Sequence, residues 1–277
     1  MQCSVITPSR NQSDWLKLCV ASVADQGLPD VQHIVQDACS TDGTGDWLAR
    51  DARVEAQVEA DGGMYDAVNR GLRRARGEIL AYLNCDEQYL PGTLQKVARF
   101  FEQHPDVDVL FGDIVMVDEL GEYLCHRKVQ VPLLNHTWTC HLSTLSCAMF
   151  FRRRLIGPGG YFFSPDYRCG GDQEWMVRLL RGGVKMAALG EFTSVFTRTG
   201  VNLGRDARAE TERLKLRGTA PFWVRAGVPI WILHHRMRRW RAGAYRQEPF
   251  EFELYTRDRP DRRVLRRVTN PVFRQRW

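Results

Sequence analysis

The sequence predicts an α/β fold, a mixed, mostly parallel sheet flanked by helices, followed by a basic, helical C-terminal extension. Three observations carry that reading. Over residues 4–117, β-rich runs alternate with amphipathic helical segments, the pattern of βαβ units. Residues 79–83 (Ile-Leu-Ala-Tyr-Leu) form an unbroken apolar run of the kind found in a central strand covered on both faces. Beyond Arg205 the alternation ends and charge accumulates: 19 Lys and Arg stand against 8 Asp and Glu, a net of +11, which leaves −5 for the rest of a chain whose total is +6. A body at 1–204 and an extension at 205–277 follow. With 277 residues, 44% of them hydrophobic, the chain has enough apolar side chains for one large core.

Residues 4–7, ended by Pro8, are the first strand, and from Ser13 the positions Leu16, Cys19, Val20 and Val23 fall at helical spacing as far as Gly27. Residues 31–36 give the second strand, which ends at Asp37; the loop 38–44 offers caps for a short helix through Trp47 and Leu48. A third strand is expected at 54–58. Asp61-Gly-Gly leads into a helix with Met64, Val68, Leu72 and Ala75 on one face. That helix's N-terminus can face phosphate, while Arg70, Arg73, Arg74 and Arg76 read as a solvated face. After 79–83, Pro91 and Gly92 start a helix carrying Leu94, Val97 and Phe101, and 109–117 is a strand interrupted at Gly112-Asp113. Residues 121–144 show no clean period; loop-rich segments carry specificity more often than framework. His126, His136 and His141 match no helix-face metal pair and read as structural or solvent histidines. Residues 148–151 are a core strand, and 169–183 place two glycines ahead of a helix with Trp175, Met176, Leu179 and Leu180 on its buried side.

Two segments bring acids to positions where chemistry is done. Asn84, Asp86 and Glu87 directly follow the apolar run, and in open α/β sheets the ligand crevice lies beyond the carboxyl ends of the strands. Oxygen ligands there suit Mg²⁺ or Mn²⁺; solvating a turn and capping the next helix would also explain them. Asp172 falls at the start of its helix, where capping alone accounts for an Asp, and where a carboxylate at the lip of a cleft can also take a proton from a hydroxyl.

The eight cysteines show no C-x-x-C pair and read as reduced thiols. The N-terminus has no basic segment followed by an apolar stretch, so a cytoplasmic location is expected. In the extension, residues 221–233 are apolar and aromatic but too short to span a bilayer, and 234–241 are basic. Together they have the make-up of an interfacial anchor on the inner face of an anionic membrane; a helix packed on the body with a solvated basic face is the alternative. Residues 257–276 read as a basic, partly ordered tail. No nucleic-acid binding module accompanies the charge, so no nucleic acid is expected as partner.

Taken together, SVITPSRN, QDACSTDGT, DGGMYDAVNRGLRRARGEILAYLNCDE and GGDQEWMVRLLRGG resemble, in order, segments of the glycosyltransferases of family 2, over roughly residues 3 to 200. The resemblance implies a GT-A, Rossmann-like catalytic domain at 1–204. It implies an inverting, metal-dependent glycosyltransferase of hexosyltransferase type, moving a sugar from a nucleotide-sugar donor to the hydroxyl of a glycan or lipid-linked acceptor in polysaccharide or glycoconjugate biosynthesis. Carried over by residue, Pro8, Asp37, Asp61 and Asn84 hold the nucleotide-sugar, with Asp37 on the base. Asp86 and Glu87 take Mn²⁺ or Mg²⁺, Glu87 through water, and Asp172 is the catalytic base with Arg178 nearby. Ala38-Cys39 stands where the family has Gly-Gly, which crowds a loop close to the donor. Two other readings compete. A sugar-nucleotide nucleotidyltransferase would need a glycine-rich loop after its first strand, which SVITPSRNQ does not supply; an inactive transferase-like adaptor on a membrane or nucleic acid would use the basic region alone.

Overall fold

A computed structural model describes residues 2–200 and 207–273. The expected boundary at 204/205 lies outside the described residues. The body is a nine-stranded sheet in the order β3-β2-β1-β4-β8-β6-β9-β5, with β7 added on β6. Its first half is parallel: β1 (Cys3–Ser9) lies between β2 (Gln32–Asp37) and β4 (Ile79–Tyr82), and β3 (Glu55–Val58) pairs with β2. β8 (Met149–Arg152) turns the sheet antiparallel between β4 and β6 (Val109–Val117). β9 (Met186–Thr197) then runs parallel to β6, and β5 (Glu87–Tyr89) closes the far edge antiparallel to β9. Every residue of β4 is buried, as an apolar run covered on both faces requires.

The helices are α1 (Ser13–Ala24), α2 (Thr44–Leu48), α3 (Met64–Arg74), α4 (Thr93–Gln103), α5 (Leu134–Thr139) and α6 (Gly171–Arg181). α3 buries Val68 and Leu72 on the sheet. Its outward arginines are held by ion pairs, Arg70 to Asp66 at 2.9 Å and Arg74 to Glu59 at 2.8 Å, so that face is solvated as expected.

Three expectations need correction. Gly112-Asp113 does not interrupt β6: a Cβ at 112 would lie 2.1 Å from the Thr193 hydroxyl, so glycine lets β9 approach closely, and the Asp113 carboxylate accepts the Val129 N–H at 2.7 Å. The register shifts there, but the strand continues. The segment without a period contains β7 (Tyr123–Arg127) as well as α5. The basic tail forms a hairpin, β10 (Phe250–Thr256) with β11 (Arg259–Val268), so the extension is only partly helical.

The extension packs back on the body through its hairpin and through its helices. Phe252, Leu254 and Val268 of the hairpin meet Leu90, Val115, Val117 and Val195 in one apolar cluster. Arg263 clamps the Asp25 carboxylate with two bonds, of 2.5 and 2.6 Å, and reaches the Tyr89 carbonyl at 3.0 Å. The second contact is through α7 (Ala207–Gly218) and α8 (Phe222–Ala226), where Leu216, Ala220 and Val224 pack on Trp138, Tyr167 and Val177. α9 (Val228–Arg241) follows. From α7, Glu212 accepts three successive backbone N–H groups, those of Arg168, Cys169 and Gly170, at 2.7, 2.9 and 2.7 Å. Burial pushes its carboxyl up, but those donors prevail and hold it below the usual range. Glu212 thus fixes the loop that enters α6. Glu212→Ala leaves three N–H groups without their charged acceptor, and hydrogen bonds to charged groups contribute about 1.5–3 kcal/mol each at most; a loss of roughly 2 kcal/mol in urea unfolding is expected, with no change in Mg²⁺ or Mn²⁺ dependence of stability.

Candidate active site

Polar loops at the carboxyl ends of β1 and β4, where chain order reverses in the sheet, open into a cavity of about 1790 Å³. That exceeds the roughly 300–1,000 Å³ of a typical single-ligand pocket, which leaves room for more than one small ligand. Pro8, Asp61, Asn84, Asp86, Glu87 and Asp172 all line it. Residues as far apart in sequence as Pro8 and Asp172 therefore line one cavity.

Asp172 is the best defined of them. It does not cap α6, as a helix-start Asp was expected to: the N-cap is Gly170, and no side chain caps that end. Its carboxylate instead accepts the Tyr82 hydroxyl from the buried end of β4. Its backbone N–H donates to the Tyr65 hydroxyl at 3.2 Å, and Tyr65 in turn reaches the Cys169 carbonyl at 3.3 Å. The second glycine ahead of it has a steric reason, since a Cβ at Gly171 would lie 2.6 Å from the Tyr65 ring. Burial pushes the Asp172 carboxyl up to about 6, with the tyrosine hydroxyls pulling the other way.

Asp86 lies between β4 and β5 and Glu87 opens β5, so neither caps α4, which begins after Gly92 in the left-handed region at φ +71°. Glu87 is 1% exposed. One of its oxygens accepts the Asn84 N–H at 2.8 Å; the other, Oε1, has no hydrogen-bond partner among the described residues. Burial raises both carboxyls, and the Asp86 charge raises Glu87 further. Two desolvated adjacent carboxylates with an unused oxygen form an oxygen donor set that fits Mg²⁺ or Mn²⁺.

Asp37 is the exception among the expected site residues: it is not on the cavity wall. It is 1% exposed, and its two oxygens accept the Ser40 N–H at 2.8 Å and the Ser40 hydroxyl at 2.6 Å. It holds the turn in which Cys39 takes φ +55°, a conformation more natural to glycine, and presents Ala38 to the cavity. Asn11 ties this turn to the one after β1, donating its N–H to the Ser40 hydroxyl and accepting the Thr41 N–H, both at 2.8 Å. Asp61 accepts the Gly63 N–H at 2.8 Å and so shapes the glycine loop. Arg178 faces away from the cavity, paired with Glu174 at 2.7 Å and donating to the Phe162 carbonyl at 2.6 Å.

The far part of the wall was not legible beforehand. Arg127, Arg198, Arg213 and Arg239 come from β7, the end of β9, α7 and α9, and join the acids around one space. Of the three histidines in the segment without a period, His126 packs away with Tyr123, whose hydroxyl lies 2.9 Å from its Nδ1, while His136 and His141 line the cavity beside His235 of α9.

The model of the family described as "Glycosyl transferase family 2" matches residues 4–156, more than half of the chain. A PGL/p-HBAD biosynthesis glycosyltransferase of Mycobacterium tuberculosis is 30% identical over 190 residues, 63% of this chain and 68% of that protein. The putative teichuronic acid biosynthesis glycosyltransferase TuaG of Bacillus subtilis is 37% identical over 102 residues, 35% of this chain and 40% of its own length. Among solved structures, S. aureus TarS 1–349 in complex with UDP-GlcNAc superposes with a TM-score of 0.66 at 20% identity, over 90% of this chain and 76% of that one. The mannosyltransferase PcManGT of Pyrobaculum calidifontis, in complex with GDP-Man and Mn²⁺, gives a TM-score of 0.55 at 16% identity, over 85% and 75%. At such identities the solved structures speak to the fold, and it is the GT-A arrangement of the sheet described above. With the family match running from the first strand to Ile156, and the mycobacterial relative aligned over two thirds of its length, the chain belongs to glycosyltransferase family 2.

Proposed function

We propose that this protein is an inverting, metal-dependent glycosyltransferase of hexosyltransferase type that moves a sugar from a nucleotide-sugar to an acceptor hydroxyl in glycoconjugate or cell-surface polysaccharide biosynthesis. The observation that carries the proposal is the meeting of Asp172 with the desolvated Asp86–Glu87 pair in one cavity large enough for donor and acceptor. The complexes of TarS with UDP-GlcNAc and of PcManGT with GDP-Man support the donor class, and the names of the mycobacterial and Bacillus relatives support the pathway class.

Pro8, Asp61 and Asn84 meet the nucleotide-sugar, and Asp37 acts through the turn it holds. Asp86 and Glu87 hold the cation, which when bound neutralises charge on the departing diphosphate. Asp172, ionised above a pKa of about 6, takes the proton from the acceptor hydroxyl as it attacks the anomeric carbon opposite the leaving group. The Tyr82 hydroxyl, donating to one oxygen, holds the Asp172 carboxylate in place.

α8 and α9 support peripheral contact with an anionic membrane at its cytoplasmic face. Ile230, Leu233, Met237 and Trp240 recur at helical spacing along α9 and all face outward, Trp240 at 71% exposure, beside exposed Arg236 and Arg241. Phe222 and Trp223 of α8 extend the patch. Among the described residues no helix is long and apolar enough to cross a membrane.

Four outcomes are expected. In a thermal-shift screen of UDP-, GDP-, dTDP- and CMP-sugars, one nucleotide stabilises the protein, only with Mn²⁺ or Mg²⁺, and Asp86→Ala abolishes the effect; stabilisation that ignores metal would remove the cation role of Asp86. Asp172→Asn lowers turnover by about 100- to 10,000-fold with donor binding retained. The same variant gains stability: a carboxyl raised in the fold from 3.8 to about 6 favours folding below its unfolded pKa and loses that contribution as pH rises through 6, so removing its charge at pH 8 adds roughly 3 kcal/mol at most. Finally, the full chain sediments with vesicles containing anionic lipid, and Trp223→Ser with Trp240→Ser weakens this about tenfold or more, as loss of two interfacial aromatics predicts.

A further inference from the structure

We infer that His136, His141 and His235 form a second metal site, of the zinc class, separate from the Asp86–Glu87 acids and joining α9 to the wall of the cavity. One ring nitrogen from each histidine lies within 4.8 Å of the other two. The three come from different elements: α5, the loop after it, and α9. The His136 and His235 rings stack at 4.2 Å between centroids, and the His141 ring stands edge-on to His136 at 4.6 Å. All three line the cavity.

A second observation points to a ligand there. His136 is 2% exposed, yet its Nε2 has no hydrogen-bond partner among the described residues. A buried imidazole nitrogen without a partner costs about 1–3 kcal/mol, and a metal bond removes that cost. Burial holds His136 near 4 and His235 near 3, so the rings stay neutral with lone pairs available. Imidazole-only sites suit Zn²⁺, Ni²⁺, Co²⁺ or Cu²⁺ and are poor for Mg²⁺. Zinc bonds to histidine of about 2.0–2.1 Å put tetrahedral ligands roughly 3.3 Å apart. The present spread closes to that by turning side chains, chiefly the exposed His141.

The charged neighbours fix what completes the site. Arg127, Arg213, Arg238 and Arg239 all lower the affinity of the cluster for protons, and they disfavour a bare dication in the same way. Arg127, Arg213 and Arg239 line the cavity beside the histidines, so an anionic oxygen, from hydroxide or from a ligand in the cavity, would be the fitting fourth partner.

The test uses the full, tag-free chain stripped with chelator, titrated with Zn²⁺ against a chromogenic zinc chelator, with Co²⁺ absorption as the readout of coordination geometry. One equivalent is expected to bind and to give the intense visible bands of tetrahedral Co²⁺. His136→Asn, His141→Asn and His235→Asn should each weaken Zn²⁺ binding by at least about tenfold, since changes to groups behind a ligand already cost 10- to 100-fold. Asp86→Ala should leave it unchanged. His141→Asn, at an exposed position, keeps the test decisive if a buried variant misfolds. Absence of stoichiometric binding, equal binding in the histidine variants, or loss in Asp86→Ala would each overturn the site.

Discussion

The organising constraint is the desolvation of three carboxylates at the end of a sheet, Glu87 fully buried and Asp86 and Asp172 partly so. Taking such groups out of water disfavours their charge, and all three are raised accordingly. Hydrogen bonds offset part of that cost, among them the Tyr82 hydroxyl on Asp172, the Asn84 N–H on Glu87 and the Thr199 side chain on Asp86. Sites that carry uncompensated charge in the resting state are tuned to something that arrives later. On the function proposed above, the arriving groups would be a cation for Asp86 and Glu87 and the proton of an acceptor hydroxyl for Asp172.

Holding Asp172 requires both halves of the chain. Tyr82 fixes it from β4, Tyr65 from α3, and Glu212 fixes the preceding loop from α7. The glycine at 171 belongs to the same device, because any side chain there would displace the Tyr65 ring. The extension also supplies part of the cavity wall through Arg213, His235 and Arg239, and its hairpin clasps α1 through Arg263 and Asp25. It is therefore built into the site rather than appended to it.

Where local signals agreed with tertiary structure, the chain was readable. The apolar run of β4, the spacing of Val68 and Leu72, and the acids placed just beyond the strand all stand where periodicity and strand order put them. Readability failed where a pattern depended on a partner far away. Gly112 looks like a break until Thr193 is brought against it. The strand of the hairpin has exposed arginines along most of its length, so its charge outweighed the apolar signal of Val264, Leu265 and Val268. Asp37 sits at a strand end like Asp86, but Ser40 three residues on takes both its oxygens, which spacing alone does not show. His136 and His141 had no recognisable spacing because their third neighbour is His235, on the other side of the whole catalytic motif.

The reach of Glu212 has a consequence for how this protein comes into being. On the ribosome, Asp86, Glu87, Asp172 and the whole of α6 are made before Glu212, which secures the loop entering that helix. A chain stopped short of α7 carries every strand of the sheet but lacks the carboxylate that ties down the loop leading to Asp172. The order of synthesis therefore puts the fastening of that loop after the helix it feeds.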